Sequence, residues 1–140
     1  MKVFVSGQIG DIDNVRLAQD ALMQAGHKIT HDWTRNETGD KMLASRQDKL
    51  DNPEETAKRA VLDINGVLGA DAYVICTNNE SPGKGMYVEL GAAIAMAESR
   101  RGFNIYLLGE MNHMTIFYLH PKVQRVESVE ALLKNLEMKA

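Results

Sequence analysis

The stretch Ser81-Pro82-Gly83-Lys84-Gly85-Met86-Tyr87-Val88-Glu89-Leu90-Gly91-Ala92-Ala93 decides how this chain is read. A Pro/Gly loop ends one strand and opens a helix. From residue 90 to residue 97 every side chain is apolar or small, so the helix is expected to be buried on nearly all sides. One carboxylate, Glu89, stands at the entrance to that run, and burying an unpaired charge is costly. Two readings of it are open. Glu89 sits in the first helical turn, where an acid suits the helix dipole, or it faces a crevice and does chemistry there.

Working outward, residues 71–76 read as the strand that feeds this loop, and the helix is expected to run to about Ser99. Upstream, residues 52–55 (Asn-Pro-Glu-Glu) are a strong helix start, with Asn52 as N-cap, proline at the first position and acids in the first turn. Ala57, Ala60, Val61, Ile64, Val67 and Leu68 follow at helical spacing. Asp63 lies at the edge of that stripe, where composition alone favours a solvated helix acid. Residues 2–6 (KVFVS) form a first strand, with Gly7 and Gly10 making a tight loop after it. Residues 11–25 carry a helical stripe at Val15, Ala18, Leu22 and Ala25, and Gly26 is the expected stop. Residues 27–31 read as a second strand. Residues 34–51 are polar and weakly periodic, a long loop with at most one helical turn near 42–46. Downstream, residues 104–108 are a fourth strand, 115–119 are ambiguous between helix and strand, and 123–126 are a short fifth strand. Ser128 caps a last helix carrying Val129, Leu132, Leu133 and Leu136 on one face.

Strands alternating with helices imply an α/β fold with a parallel sheet covered on both faces. Right-handed crossovers then favour a flavodoxin-like (Rossmann-like) three-layer sandwich, five strands in the order 2-1-3-4-5. Ligands of such sheets bind at the carboxyl ends of the strands, near the switch point between strands 1 and 3. Glu89 opens on that edge.

Length and composition set the outer bounds. Residues 1–140 read as one domain with an ordinary soluble composition, 44% hydrophobic and 25% charged. A net charge of −3 offers no electrostatic footprint for nucleic acid or an anionic membrane. With no signal peptide and no apolar run near the ~20 residues that span a bilayer, a cytoplasmic location is expected. Cys76 is the single cysteine, so neither a disulfide framework nor a metal-type cysteine pair arises. His27 and His31 have metal-ligand spacing only on a helix. On a strand they stand roughly 13 Å apart at ~3.3 Å per residue, which excludes a shared metal. No cofactor is expected. Trp33 reads equally as a wall against a planar ligand or as a lid on the core. Asn112, His113 and His120 read as polar loop residues. Met23, Met86 and Met96 stand at plausible core positions.

Taken together, three segments resemble the nucleoside 2-deoxyribosyltransferase family, including its nucleotide N-glycosidase relatives. They are the strand ending in Ser6-Gly7 with its glycine loop, Asp63 on a helix that runs into Ala70-Asp71-Ala72-Tyr73-Val74, and the glycine loop with Glu89-Leu90-Gly91. The resemblance implies cleavage or transfer at an N-glycosidic bond, with Glu89 as nucleophile beneath the sugar. Asp63 would assist proton transfer at the leaving base. A carboxylate suits the first role because the reaction passes through an oxocarbenium-like state. Ser6, Gly7, Gly10, Trp33, Ser81, Gly83, Lys84 and Gly85 are the expected substrate contacts, with a nucleoside or nucleotide as the small-molecule partner. The chain departs from the family pattern at three places. Phe4 stands where members often carry a tyrosine that steadies the nucleophile, and Gly83 where transferases have an aspartate and hydrolases a serine. Gly10 takes the place of a first-loop arginine that serves a phosphate. Backbone N–H groups of residues 83–85 at a helix start, with Lys84, offer an alternative anion site. A non-catalytic nucleotide-binding or sensing module on the same scaffold is the rival reading, and a structural interaction domain a further one. A homodimer or larger assembly is expected, with the helix after Glu89 or its neighbour at the interface.

Overall fold

The computed structural model describes residues 1–35, 43, 45–80 and 84–139. Its strands are β1 (Lys2–Ser6), β2 (Lys28–Ile29), β3 (Ala72–Cys76), β4 (Asn104–Leu108) and β5 (Val123–Val126). All pair in parallel, in the order β2-β1-β3-β4-β5. The helices are α1 (Ile12–Gln24), α2 (Arg46–Asp51), α3 (Pro53–Leu68), α4 (Lys84–Ser99) and α5 (Val129–Lys139). The α/β topology is the one expected from the strand–helix alternation. β3 is buried at every position, as a central parallel strand covered on both faces must be. No helix among the described residues is long and apolar enough to cross a membrane.

Alternation along β1 separates the two faces. Phe4 and Ser6 point to the side of α3 and α4. There Phe4 stacks on Tyr73 of β3, with ring centroids 6.1 Å apart and planes 3° from parallel. A Cβ on Gly66 would meet the Phe4 ring at 2.7 Å, so glycine is what lets α3 approach the sheet.

Several elements differ from the sequence reading. β2 is two residues long: Thr30 still donates its backbone N–H to the Val3 carbonyl at 3.0 Å, but its hydroxyl turns to the Gly66 carbonyl of α3 at 2.7 Å. The expected long loop contains α2. Ser45 opens it with a capping box, its hydroxyl accepting from the Asp48 N–H at 3.0 Å while its own N–H donates to the Asp48 carboxylate. The turn expected near 42–46 falls partly on Met42, outside the described residues. Asn52 does not cap α3 through its side chain, which donates instead to the Asp48 carbonyl. Residues 116–119 form a 3-10 turn capped by Thr115.

Burial also corrects two stripes. On α3 only Gly66 and Val67 are buried, whereas Val61 is 57% exposed, because the helix meets the sheet through its last turns. On α4 a single face is covered, formed by Met86, Glu89, Leu90, Ala93 and Ala97. Val88 is 65% exposed and Gly91 and Ala95 also face outward. An apolar run of small residues records low polarity, not enclosure. Met86 is buried as expected and Met96 partly so, but Met23 is exposed.

Candidate active site

A cavity of about 930 Å³ opens at the carboxyl end of β1, beside the start of α4. It brings together Gly7, Gly10, Trp33, Asp63, Lys84, Gly85 and Glu89 from four separate segments. Ser81 and Gly83 lie outside the described residues. Ser6 is wholly buried and does not line the cavity; its hydroxyl donates to Glu89 Oε1 at 2.6 Å. The expected substrate contact at Ser6 is thus, in place, a support for the carboxylate.

Glu89 is the sixth residue of α4 as described, one turn beyond where the N-terminal dipole is strongest. It is 7% exposed. Burial pushes its carboxyl up to about 8, opposed by the Ser6 hydrogen bond and reinforced by the charge of Asp63. Asp63 approaches from α3, and its Oδ1 stands 3.4 Å from His31 Nε2. Burial lowers the His31 pKa, so the ring is mainly neutral near pH 7. Two carboxylates therefore share one cavity in unlike surroundings, an arrangement that lets one hold a proton while the other is ionised.

The walls combine shape and charge. Trp33 belongs to the buried core, its indole N–H donates to the Val5 carbonyl at 2.8 Å, and it also lines the cavity. Asp11, buried in the first loop, accepts from the Asn79 backbone N–H at 2.6 Å and from the Asn14 side chain at 2.8 Å. It ties the loop after β1 to the loop after β3 and so fixes the two rims of the cavity. Arg46 and Lys49 of α2 also line the space, together with Leu43 and Leu50. Sequence reasoning missed these cations because α2 was read as loop. The Ser45-x-x-Asp48 capping signal was the available clue.

Other residues fall elsewhere. Asn112 and His113 border a second cavity of about 750 Å³ on the far flank of α4, with Tyr87, Leu90 and Phe117. That loop is latched by Glu80, another buried carboxylate the sequence did not single out. Glu80 accepts from the Tyr118 hydroxyl at 2.6 Å and from the His113 backbone N–H. His27 lies against the N-terminal amine and His31 against Asp63, so the two histidines have separate partners. Among the described residues, no group of three His, Cys, Asp or Glu is placed to hold a metal ion.

Two solved structures resemble this one over nearly the whole chain. One is a 2-deoxyribosyltransferase from the psychrotolerant bacterium Bacillus psychrosaccharolyticus. It is 12% identical with a TM-score of 0.62, over 95% of this chain and 90% of that one. The other is the CMP N-glycosidase BcmB of Clostridium botulinum, 20% identical with a TM-score of 0.55, over 99% of both chains. This chain has their fold. Both names fall within the family that the sequence motif resembles. No family model and no curated protein matches the sequence.

Proposed function

We propose that this chain belongs with the nucleoside 2-deoxyribosyltransferases and their nucleotide N-glycosidase relatives, and breaks the N-glycosidic bond of a (deoxy)nucleoside or nucleoside 5′-monophosphate. The observation that carries the reading is the pairing of Glu89 and Asp63 on one cavity, with Ser6 holding the Glu89 carboxylate. In the first step the Glu89 oxygen not engaged by Ser6 bonds to the anomeric carbon. The carbon–nitrogen bond breaks, and its electron pair leaves with the base nitrogen, which takes a proton that the Asp63 carboxylate relays from solvent. In the second step water, or the nitrogen of a second base, attacks the same carbon and frees Glu89. Asp63 takes up the proton of that incoming nucleophile. Lys84, Arg46 and Lys49 at the rim suit an anionic group, which favours a 5′-monophosphate over the bare nucleoside.

The test is incubation with a panel of deoxynucleosides and their 5′-monophosphates, followed by chromatography for free base. Adding a second base separates transfer from hydrolysis. Binding without any free base, at a pH where Glu89 is ionised, would favour a non-catalytic nucleotide-binding or sensing module instead. One observation supports that second reading: a carboxyl raised to about 8 is mostly protonated at neutral pH and then donates a hydrogen bond better than it attacks carbon. For assembly, the exposed Val88 and the outward-facing Gly91 and Ala95 on α4 suit a homodimer through this helix. A monomer mass by light scattering at micromolar concentration would refute it.

A further inference from the structure

We infer that His31 is a positioning residue for Asp63, its ring Nε2–H fixing one carboxylate oxygen so that the other is presented to the departing base. The inference rests on the proposed role of Asp63 and adds a residue that does not itself line the cavity. The fold builds the pair from both sides. Before His31, the Thr30 hydroxyl pins the chain to the Gly66 carbonyl of α3 at 2.7 Å. Gly66 also makes room for the ring, since a Cβ there would stand 3.0 Å from the His31 Cβ. Asp63 lies three residues before Gly66, on the same face of α3. His31 Nε2 thereby comes within 3.4 Å of Asp63 Oδ1. After His31, the Asp32 carboxylate accepts from the Gln19 amide of α1 at 3.2 Å, and the Trp33 indole donates to the Val5 carbonyl of β1. The backbone is fastened on either side of the ring, which leaves His31 little freedom to move away from Asp63.

The chemistry of the two groups gives the direction. An ionised carboxylate only accepts, so the ring nitrogen that faces it carries the proton. Burial lowers the His31 pKa against the opposing charge of Asp32, and a neutral ring has one N–H to place. His31 Nε2 is buried and makes no hydrogen bond elsewhere among the described residues, so its proton is kept for Asp63. The side chains are 18% and 30% exposed, which limits competition from water. At 3.4 Å the contact is long, and contacts of this kind commonly tighten when substrate binds. The charged or titratable groups facing the ring are Asp63 of α3 and Asp32, next in the chain, with Glu89 of α4 beyond Asp63. A carboxylate held at one oxygen hands a proton to the base nitrogen along a fixed direction. The benefit is therefore largest for a base that cannot leave without that proton.

The pairing is read first without substrate, by nitrogen NMR of the His31 ring in the whole chain. The Nε2–H tautomer is expected above the ring's titration midpoint. Asp63→Asn should lower that midpoint by about half a pH unit or more, because a neighbouring carboxylate favours the charged ring. An Nδ1–H tautomer, or a midpoint that Asp63→Asn leaves unmoved, would overturn the inference. Kinetics then separate positioning from packing. His31→Phe keeps a ring and removes the donor, and should lower kcat about tenfold with KM nearly unchanged. On an analogue whose base carries an electron-withdrawing group, and so leaves with less need of a proton, the loss should shrink to about twofold or less. His31→Gln offers an amide N–H in nearly the same place and should recover most of the rate. Equal losses on the two substrates, or equal losses in the two variants, would mean that His31 only fills space and would overturn the inference. Circular dichroism checks that both variants fold. The NMR arm needs neither turnover nor a His31 variant, so its failure is distinguishable from failure of the glycosidic-bond reading.

Discussion

Replacing Glu89 with glutamine should stabilise the fold at alkaline pH and leave it unchanged in acid. The carboxyl titrates at 4.5 when free and at about 8 in the folded chain, with burial as the chief cause. Below 4.5 both folded and unfolded chains hold the proton, and Glu89 costs the fold nothing. As pH rises from there through about 8, the unfolded chain has released its proton while the folded chain still holds one, so stability falls. Above about 8 the loss is complete. At ~1.4 kcal/mol per pH unit of displacement, its upper bound is about 5 kcal/mol. Relaxation and water entry around the ionised group reduce that, and about 2–4 kcal/mol is expected. For a domain of this size ~1 kcal/mol moves Tm by about 3 °C, so the variant should gain roughly 6–12 °C near pH 9. Circular dichroism melts of both proteins at about pH 5, 7 and 9 measure it. Curves that coincide near pH 5 and diverge near pH 9, with the glutamine form the more stable, fit the account. A gap of the same size at every pH would mean that Glu89 carries no buried, ionisable charge, and would refute the reasoning.

The rim cations give a second test. Lys84→Ala and Arg46→Ala should each weaken a 5′-monophosphate by roughly tenfold or more and leave the matching nucleoside nearly unchanged, by calorimetric titration. Equal losses for the two ligands would reassign both residues to the solvated rim. Asp63→Asn removes the like charge that helps hold Glu89 up, so the acidic limb of the rate profile should move to lower pH while the maximal rate falls at least tenfold. Gly66→Ala drives a Cβ into the Phe4 ring, and a loss of about 1–3 kcal/mol, read as a lower Tm, is expected.

How much of this was legible in the sequence depends on which interactions decide each feature. The strand order followed from the alternation of elements, because crossover chirality leaves few alternatives. Glu89 and Trp33 were singled out by local chemistry, Asp63 and the glycine positions by the family resemblance, and those among the described residues line one cavity. Burial of whole helix stripes was misread. Val61 and Val88 are apolar residues that stay exposed among the described residues. The Arg46 and Lys49 contribution was hidden inside a polar stretch where a six-residue helix leaves little periodicity. The support of Glu89 was hidden for a different reason: Phe4 reads as the loss of a hydroxyl and stacks on Tyr73 across the sheet, while the hydroxyl that serves the site comes from Ser6, two residues on along the same face. Cross-strand register is a property of three-dimensional pairing, and no local pattern announces it.

The central claim is that Glu89 acts on the anomeric carbon, and release of free base by Glu89→Gln tests it most directly. The assay compares the variant with the unaltered chain at about pH 8.5, where Glu89 is mainly ionised, on whichever substrate of the nucleoside and 5′-monophosphate panel is cleaved. Circular dichroism confirms that both are folded. The account predicts a loss of ~10²-fold or more in the rate of base release, since the change keeps shape and removes the nucleophile. Near-normal release by the folded glutamine variant would contradict it.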